Sequence, residues 1–182
     1  MSTVPIERSA ARPARRGRNF LRRAWEAKLR LQKLVLIITS AAMTLLIAAQ
    51  VVGRYVLDTS VYGIEELASY CAIWLYFIGG ALGAWDRGHI SASLMDILIG
   101  SDRARAVVRV ITCLLTVILS GWMTVWAFQY FYWTASRGAR SLELGMSMAW
   151  VHAALPVGLV LMTLYFLIEF VDEARRTFGG RP

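Results

Sequence analysis

Charge is scarce in this chain. Only 18% of its 182 residues are Asp, Glu, Lys or Arg, against about 25% in an ordinary soluble domain. The apolar residues, 57% of the total, fall in long unbroken blocks rather than being interleaved with polar ones. That pattern excludes both a soluble enzyme built around one compact core and a disordered chain. Cysteine and histidine are almost as rare, with two of each. Cys71 and Cys113 both lie inside apolar blocks, and no CxxC or Cys/His spacing occurs, so they read as small buried apolar side chains rather than a disulfide or metal pair. No nucleophile, histidine and acid fall into a common pattern, so no catalytic, cofactor-binding or metal-binding residues are expected.

Four apolar runs are long enough to cross a bilayer: Leu34–Tyr55, Leu67–Trp85, Val107–Trp133 and Met146–Ile168. At about 1.5 Å rise per residue each covers roughly 30 Å of hydrocarbon. Helices satisfy their own backbone groups there, so the expected fold is an all-α integral membrane protein with four transmembrane helices over residues 34–170.

The basic residues have a distinct address. Residues 1–33 hold ten Lys/Arg and two acids, Glu7 and Glu26, which accounts for the whole net charge of +8. One basic segment ahead of hydrophobic blocks faces anionic lipid and not nucleic acid. Lys and Arg also set orientation. Ten precede the first span, four (Arg87, Arg103, Arg105, Arg109) lie in the middle connection and three (Arg175, Arg176, Arg181) follow the last span. Only Arg54, Arg137 and Arg140 fall on the other side. Seventeen against three places both termini in the cytoplasm and the two remaining connections outside. The basic leader exceeds thirty residues and precedes a full-length span, so a retained anchor is expected rather than a cleaved signal peptide. Within the leader, Leu21, Trp25 and Leu29 repeat at helical spacing among basic residues, which predicts an amphipathic interfacial helix over 19–33. Residues 1–18 read as a basic disordered tail and 171–182 as a cytoplasmic tail.

Four spans and two histidines raise the possibility of a haem-carrying membrane anchor. His89 and His152 fall at opposite ends of the spans, however, where one iron cannot bind both. A self-assembling exporter or channel is the other alternative. The only acid in the spans is Glu169, at an inner edge, and no two spans look like inverted repeats, so the chain is poor in what an ion-coupled transporter needs. Arg54, Glu65 and Glu66 bracket the first outer turn. Their signs suit the helix ends they occupy, and the short connection brings them within reach of an ion pair or leaves them for a partner subunit. Gly79, Gly80 and Gly83 form a small-residue packing face. Pro156, with Gly158 nearby, is expected to bend the last span. Aromatics gather near the outer boundary (Trp122, Trp126, Tyr130, Phe131, Tyr132, Trp133, Trp150), as interfacial anchors or partner-facing surface.

Several of these residues form an ordered set of motifs: Arg54-Tyr55-Val56, Glu65-Glu66-Leu67-Ala68 with Tyr70, Trp74-Leu75, Phe77, Gly79-Gly80-Ala81 and Arg87-Gly88-His89-Ile90. Later come Leu144-Gly145-Met146, Trp150, Ala154-Leu155-Pro156-Val157-Gly158 and Leu161-Met162. In order and spacing the set resembles the DctQ-type small membrane subunit of tripartite ATP-independent periplasmic (TRAP) transporters, over about residues 34–170. It departs at Gly63, where an aromatic is common, at Ser93, where a carboxylate is common, and at Ser147, where proline is common. The resemblance implies a bacterial inner-membrane complex with a large permease subunit and a periplasmic solute-binding protein. In it the small subunit is a fixed scaffold for sodium-coupled uptake of an organic anion. It also implies interface or structural roles for Arg54, Glu65, Glu66, Trp74, Gly79, Gly80, Arg87, His89, Trp150, Pro156 and Gly158.

Overall fold

A computed structural model describes residues 14–59, 61–86 and 101–178. These residues form five helices: α1 (Ala14–Val56), α2 (Ile64–Trp85), α3 (Asp102–Ser136), α4 (Ala149–His152) and α5 (Ala154–Phe178). Four stretches among them are long and apolar enough to cross a membrane: Trp25–Val56, Ile64–Trp85, Asp102–Ser136 and Ala149–Phe178, the last formed by α4 and α5 together.

The expected interfacial helix over 19–33 does not exist as a separate element. α1 runs unbroken for 43 residues, about 65 Å at helical rise. Pro13 stands immediately before it, and no Gly or Pro interrupts residues 18–52, so nothing in the sequence ends the backbone hydrogen-bond ladder at Lys33. The change from basic to apolar composition marks a change of surroundings, not a change of conformation. α1 stops only after Gly53. There Asp58 turns left-handed (φ 47°) and the Thr59 N–H returns to the Gly53 carbonyl at 2.9 Å.

The last span is interrupted where Pro156 requires it. Its ring excludes the helical position of the carbonyl four residues back, that of His152, and the helix breaks at Ala153 between α4 and α5. The interruption lies three residues ahead of the proline and leaves the Ala153 backbone helical (φ −60°, ψ −24°).

The helices form a row in the order α1, α2, α5, α3. Gln50 meets Glu65 and Trp25 meets Trp85, so α1 and α2 are antiparallel. Thr124 meets Thr163 at 2.9 Å and Tyr130 lies beside His152, so α3 and α5 are antiparallel as well. At the centre Phe77 faces Gly158 and Gly80 faces Met162, an advance in the same direction along both helices. Two hairpins thus meet along a parallel α2–α5 seam, with α1 and α3 on the flanks.

The core is rich in alanine. Its buried apolar members are Ala68, Ile78, Ala81, Ala127, Val151, Ala154 and Tyr165, the pattern expected where backbones approach closely and large side chains face outward. The tightest approach is at Gly158, where an added Cβ would stand 2.6 Å from the Phe77 Cβ and 2.9 Å from its carbonyl oxygen. The glycines of α2 are looser. Gly79 and Gly80 would meet Leu36 and Met162 side chains at 3.5 Å, and Gly83 faces open space.

Gly158→Ala should therefore lower stability in detergent by about 1–3 kcal/mol, because the clash involves backbone that cannot move aside. Gly80→Ala should stay within about 0.5 kcal/mol of wild type. Thermal unfolding of the two variants side by side checks this, and equal stabilities would mean that the seam is not close-packed at Gly158.

Candidate functional site

The end of the row opposite the chain termini is tied together by one hydrogen-bonded knot. The connection between α3 and α4 folds back on itself through a bridge between Arg140 and Ser147. The Ser141 N–H donates to the Met146 carbonyl at 2.8 Å, and the Met148 N–H to the Ala139 carbonyl at 2.9 Å. The Ser141 hydroxyl accepts from the Met146 N–H at 3.1 Å. Gly145 supplies the left-handed turn (φ 64°), and Leu142 at the tip is fully exposed.

Two glutamates lock this turn to the start of α2. Glu66 is the third residue after the Gly63 cap, a position from which glutamate ordinarily reaches back to the cap's own N–H. Here the Glu143 carboxylate takes that N–H, at 2.7 Å. Glu66 is left to accept the backbone N–H groups of Glu143 and Leu144, at 3.2 and 3.0 Å. The Tyr70 hydroxyl donates to the other Glu66 oxygen at 2.5 Å and lies 3.3 Å from the Met148 sulfur. Each carboxylate thus holds the other segment's amides. Hydrogen bonds to a charged acceptor are stronger than those between neutral groups, and the amino end of α2 favours the negative charge. Position 63 favours glycine. Its φ is 83°, and a Cβ there would stand 2.5 Å from Leu144 Cδ2. Occupied by N–H and O–H donors in this way, Glu66 is an adhesive group and not a free base.

The end that carries the termini has a second tie. The Trp25, Trp85 and Tyr165 rings pack with centroids 5.0–5.7 Å apart. The Lys28 ammonium stands 4.1 Å from the Trp25 ring centre and 4.2 Å from that of Tyr165. The Tyr165 hydroxyl donates to the buried Gln32 side chain. Part of the apolar stripe expected to lie on a membrane surface is instead an internal contact joining α1, α2 and α5.

Of the residues given interface or structural roles from the sequence, Glu66 alone enters the knot, which also contains Tyr70, Leu144, Gly145 and Met146 of the neighbouring motifs. Glu65 accepts from Gln50 Nε2 at 3.1 Å. The ion pair considered for Arg54 is not formed, because Glu66 is already engaged and Glu65 bonds to Gln50. Trp74 is half-buried on α2 and Trp150 is exposed on α4, while Pro156 and Gly158 are buried in α5. Arg87 and His89 lie outside the described residues. Sequence reasoning passed over Glu143, the one acid of its loop, beside the Leu144-Gly145-Met146 motif. It also passed over the partnership of Trp25 with Trp85 and Tyr165. Among the described residues no three His, Cys, Asp or Glu side chains gather as a metal site.

A family model described as "Tripartite ATP-independent periplasmic transporters, DctQ component" matches residues 43–176, well over half of the chain. No curated protein matches it.

The knot makes a residue-specific prediction for amide hydrogen exchange. Glu66→Ala should speed exchange at Glu143 and Leu144 about tenfold or more, and Glu143→Ala should do the same at Gly63. Amides in the α2–α5 seam should keep their wild-type rates. Unchanged exchange at all three loop-end amides would show that the glutamates do not hold the turn.

Proposed function

Because the chain belongs to the DctQ component family of tripartite ATP-independent periplasmic transporters, we propose that it is the static scaffold of a sodium-coupled organic-anion importer. It is a transporter subunit and not an enzyme, and a multi-pass membrane protein. In the proposed arrangement a large permease subunit packs against it in the membrane. The loop end, with the Glu66–Glu143 knot and the exposed Leu142 tip, faces the periplasm and helps seat the solute-binding protein.

The observation that carries the scaffold role is the bareness of the two flanks. The large apolar side chains of α1 and α3 are mostly exposed, Ile37, Ile38 and Leu45 on α1 and Leu115, Ile118 and Leu119 on α3 among them, and the buried residues of α3 are the small or polar Ser120, Ala127 and Thr134. Trp122, Trp126, Tyr132 and Trp133 on α3 all point outward. Such a chain offers surface rather than an interior, and large aromatics are favoured anchors on surfaces that receive a partner. Solute and sodium sites then belong to the large subunit, and this chain acts on transport through assembly. The Lys/Arg asymmetry of the sequence supports cytoplasmic termini.

Two measurements check this reading. In a background without Cys71 and Cys113, a cysteine replacing exposed Leu142 should react with an impermeant thiol reagent from outside, and one replacing Ser101 only after the membrane is opened. Gly158→Leu should reduce recovery of the heteromer and maximal uptake in parallel, while apparent substrate affinity per assembled complex stays within about twofold of wild type. A substitution in this chain that keeps assembly but changes which solute is carried would overturn the scaffold role.

A further inference from the structure

Between α1 and α2, at the loop end, lies a recess of about 250 Å³. Arg54, Gln50, Glu65 and Tyr55 line it together with the apolar Ile47, Val51, Ile64 and Ala68. Arg54 and Ile47 are seven residues apart on one helix, about 10 Å along the axis. The recess therefore passes from charged to apolar over the distance between a lipid headgroup and its first acyl carbons.

The charges in the lining are opposite but not joined. Arg54 forms no ion pair with Glu65, which instead accepts from Gln50 Nε2. That hydrogen bond turns Gln50 Oε1 away from Glu65, and the oxygen is buried out of reach of a ligand. The recess thus carries one planar cationic donor, Arg54, and one carboxylate acceptor, Glu65. A carboxylate entering from another protein would satisfy Arg54 and be repelled by Glu65. A lysine would satisfy Glu65 and be repelled by Arg54. A ligand carrying a phosphate beside a primary ammonium satisfies both, since guanidinium pairs with phosphate oxygens and an ammonium donates N–H groups to a carboxylate.

We propose that this recess binds an aminophospholipid of the ethanolamine type. Its phosphate lies on Arg54, its ammonium on Glu65, and an acyl chain runs along Ile47, Val51 and Ala68. The assignment is independent of the scaffold role, since it concerns one face of the α1–α2 hairpin and its own ligand.

The test is native mass spectrometry of the full chain, purified in mild detergent with whatever membrane subunit accompanies it. Phosphatidylethanolamine, phosphatidylcholine and phosphatidylglycerol of one acyl composition are titrated separately. Phosphatidylethanolamine should be retained about tenfold better than phosphatidylcholine, which carries the same net charge but no N–H donor. Arg54→Gln and Glu65→Gln should each remove most of that preference. Equal retention of the ethanolamine and choline lipids by the wild-type protein would overturn the proposal without recourse to any variant. Equal or tighter binding of phosphatidylglycerol would also overturn it, by showing that Arg54 alone recognises an anion. Free phosphoethanolamine should fail to displace the lipid at matched concentration, and full displacement would rule out the acyl-chain part. Loss of the preference in the heteromer would reassign the recess to a protein contact.

Discussion

The arrangement depends on how closely two backbones approach at one point. At Gly158, α5 comes so near to Phe77 that no side chain fits between them, and along this parallel seam the α1–α2 and α3–α5 hairpins become one body. In hydrocarbon there is no hydrophobic drive to bring helices together, so dispersion contact and a few polar links must do it. Small side chains gain the most from that balance, because they let whole backbones touch. The alanine-rich interior follows directly, with the large side chains left for the outside. The Thr124–Thr163 contact adds a polar link between α3 and α5, of the kind that contributes about 0.6 kcal/mol inside membrane proteins.

Much of the fold was legible because a bilayer imposes a length on every element. Runs of apolar residues in the sequence correspond to the four spans, and Pro156 foretold an interruption. The continuity of α1 was not legible in the same way. Arg and Lys mark where hydrocarbon ends, and a helix can pass that boundary with its ladder intact. Charge pattern therefore marks where the apolar stretch begins and not where the helix does. Gly158 was visible as a point of adjustment, but its role as the place of closest approach needs the partner helix to be seen.

The loop-end knot was illegible for a different reason. Its glutamates bind backbone N–H groups, which every residue but proline carries, so the sequence holds no trace of which ones are chosen. Proximity in sequence suggested that Arg54 would neutralise a glutamate. The folded chain satisfies Glu66 with two amides and a tyrosine hydroxyl, and Glu65 with an amide side chain. Gly63 is the one residue whose identity carried the information. It stands where the related pattern favours an aromatic, in a left-handed backbone conformation that residues with a side chain rarely adopt.

The knot also has an order in time. Glu66 is synthesised 77 residues before the Glu143 amide it accepts, and at about 5–20 residues per second roughly 4–15 s pass between them. During that interval the second span is made while its carboxylate lacks its eventual partners, so Glu66 must wait at a hydrated boundary rather than in hydrocarbon. Only when the third span has crossed and the chain has turned back can the two ends of the lock meet. Closure of the knot thus reports that the third crossing is complete and the return has begun, and a chain that inserts without its second or third crossing keeps Glu66 and Glu143 on opposite faces of the bilayer.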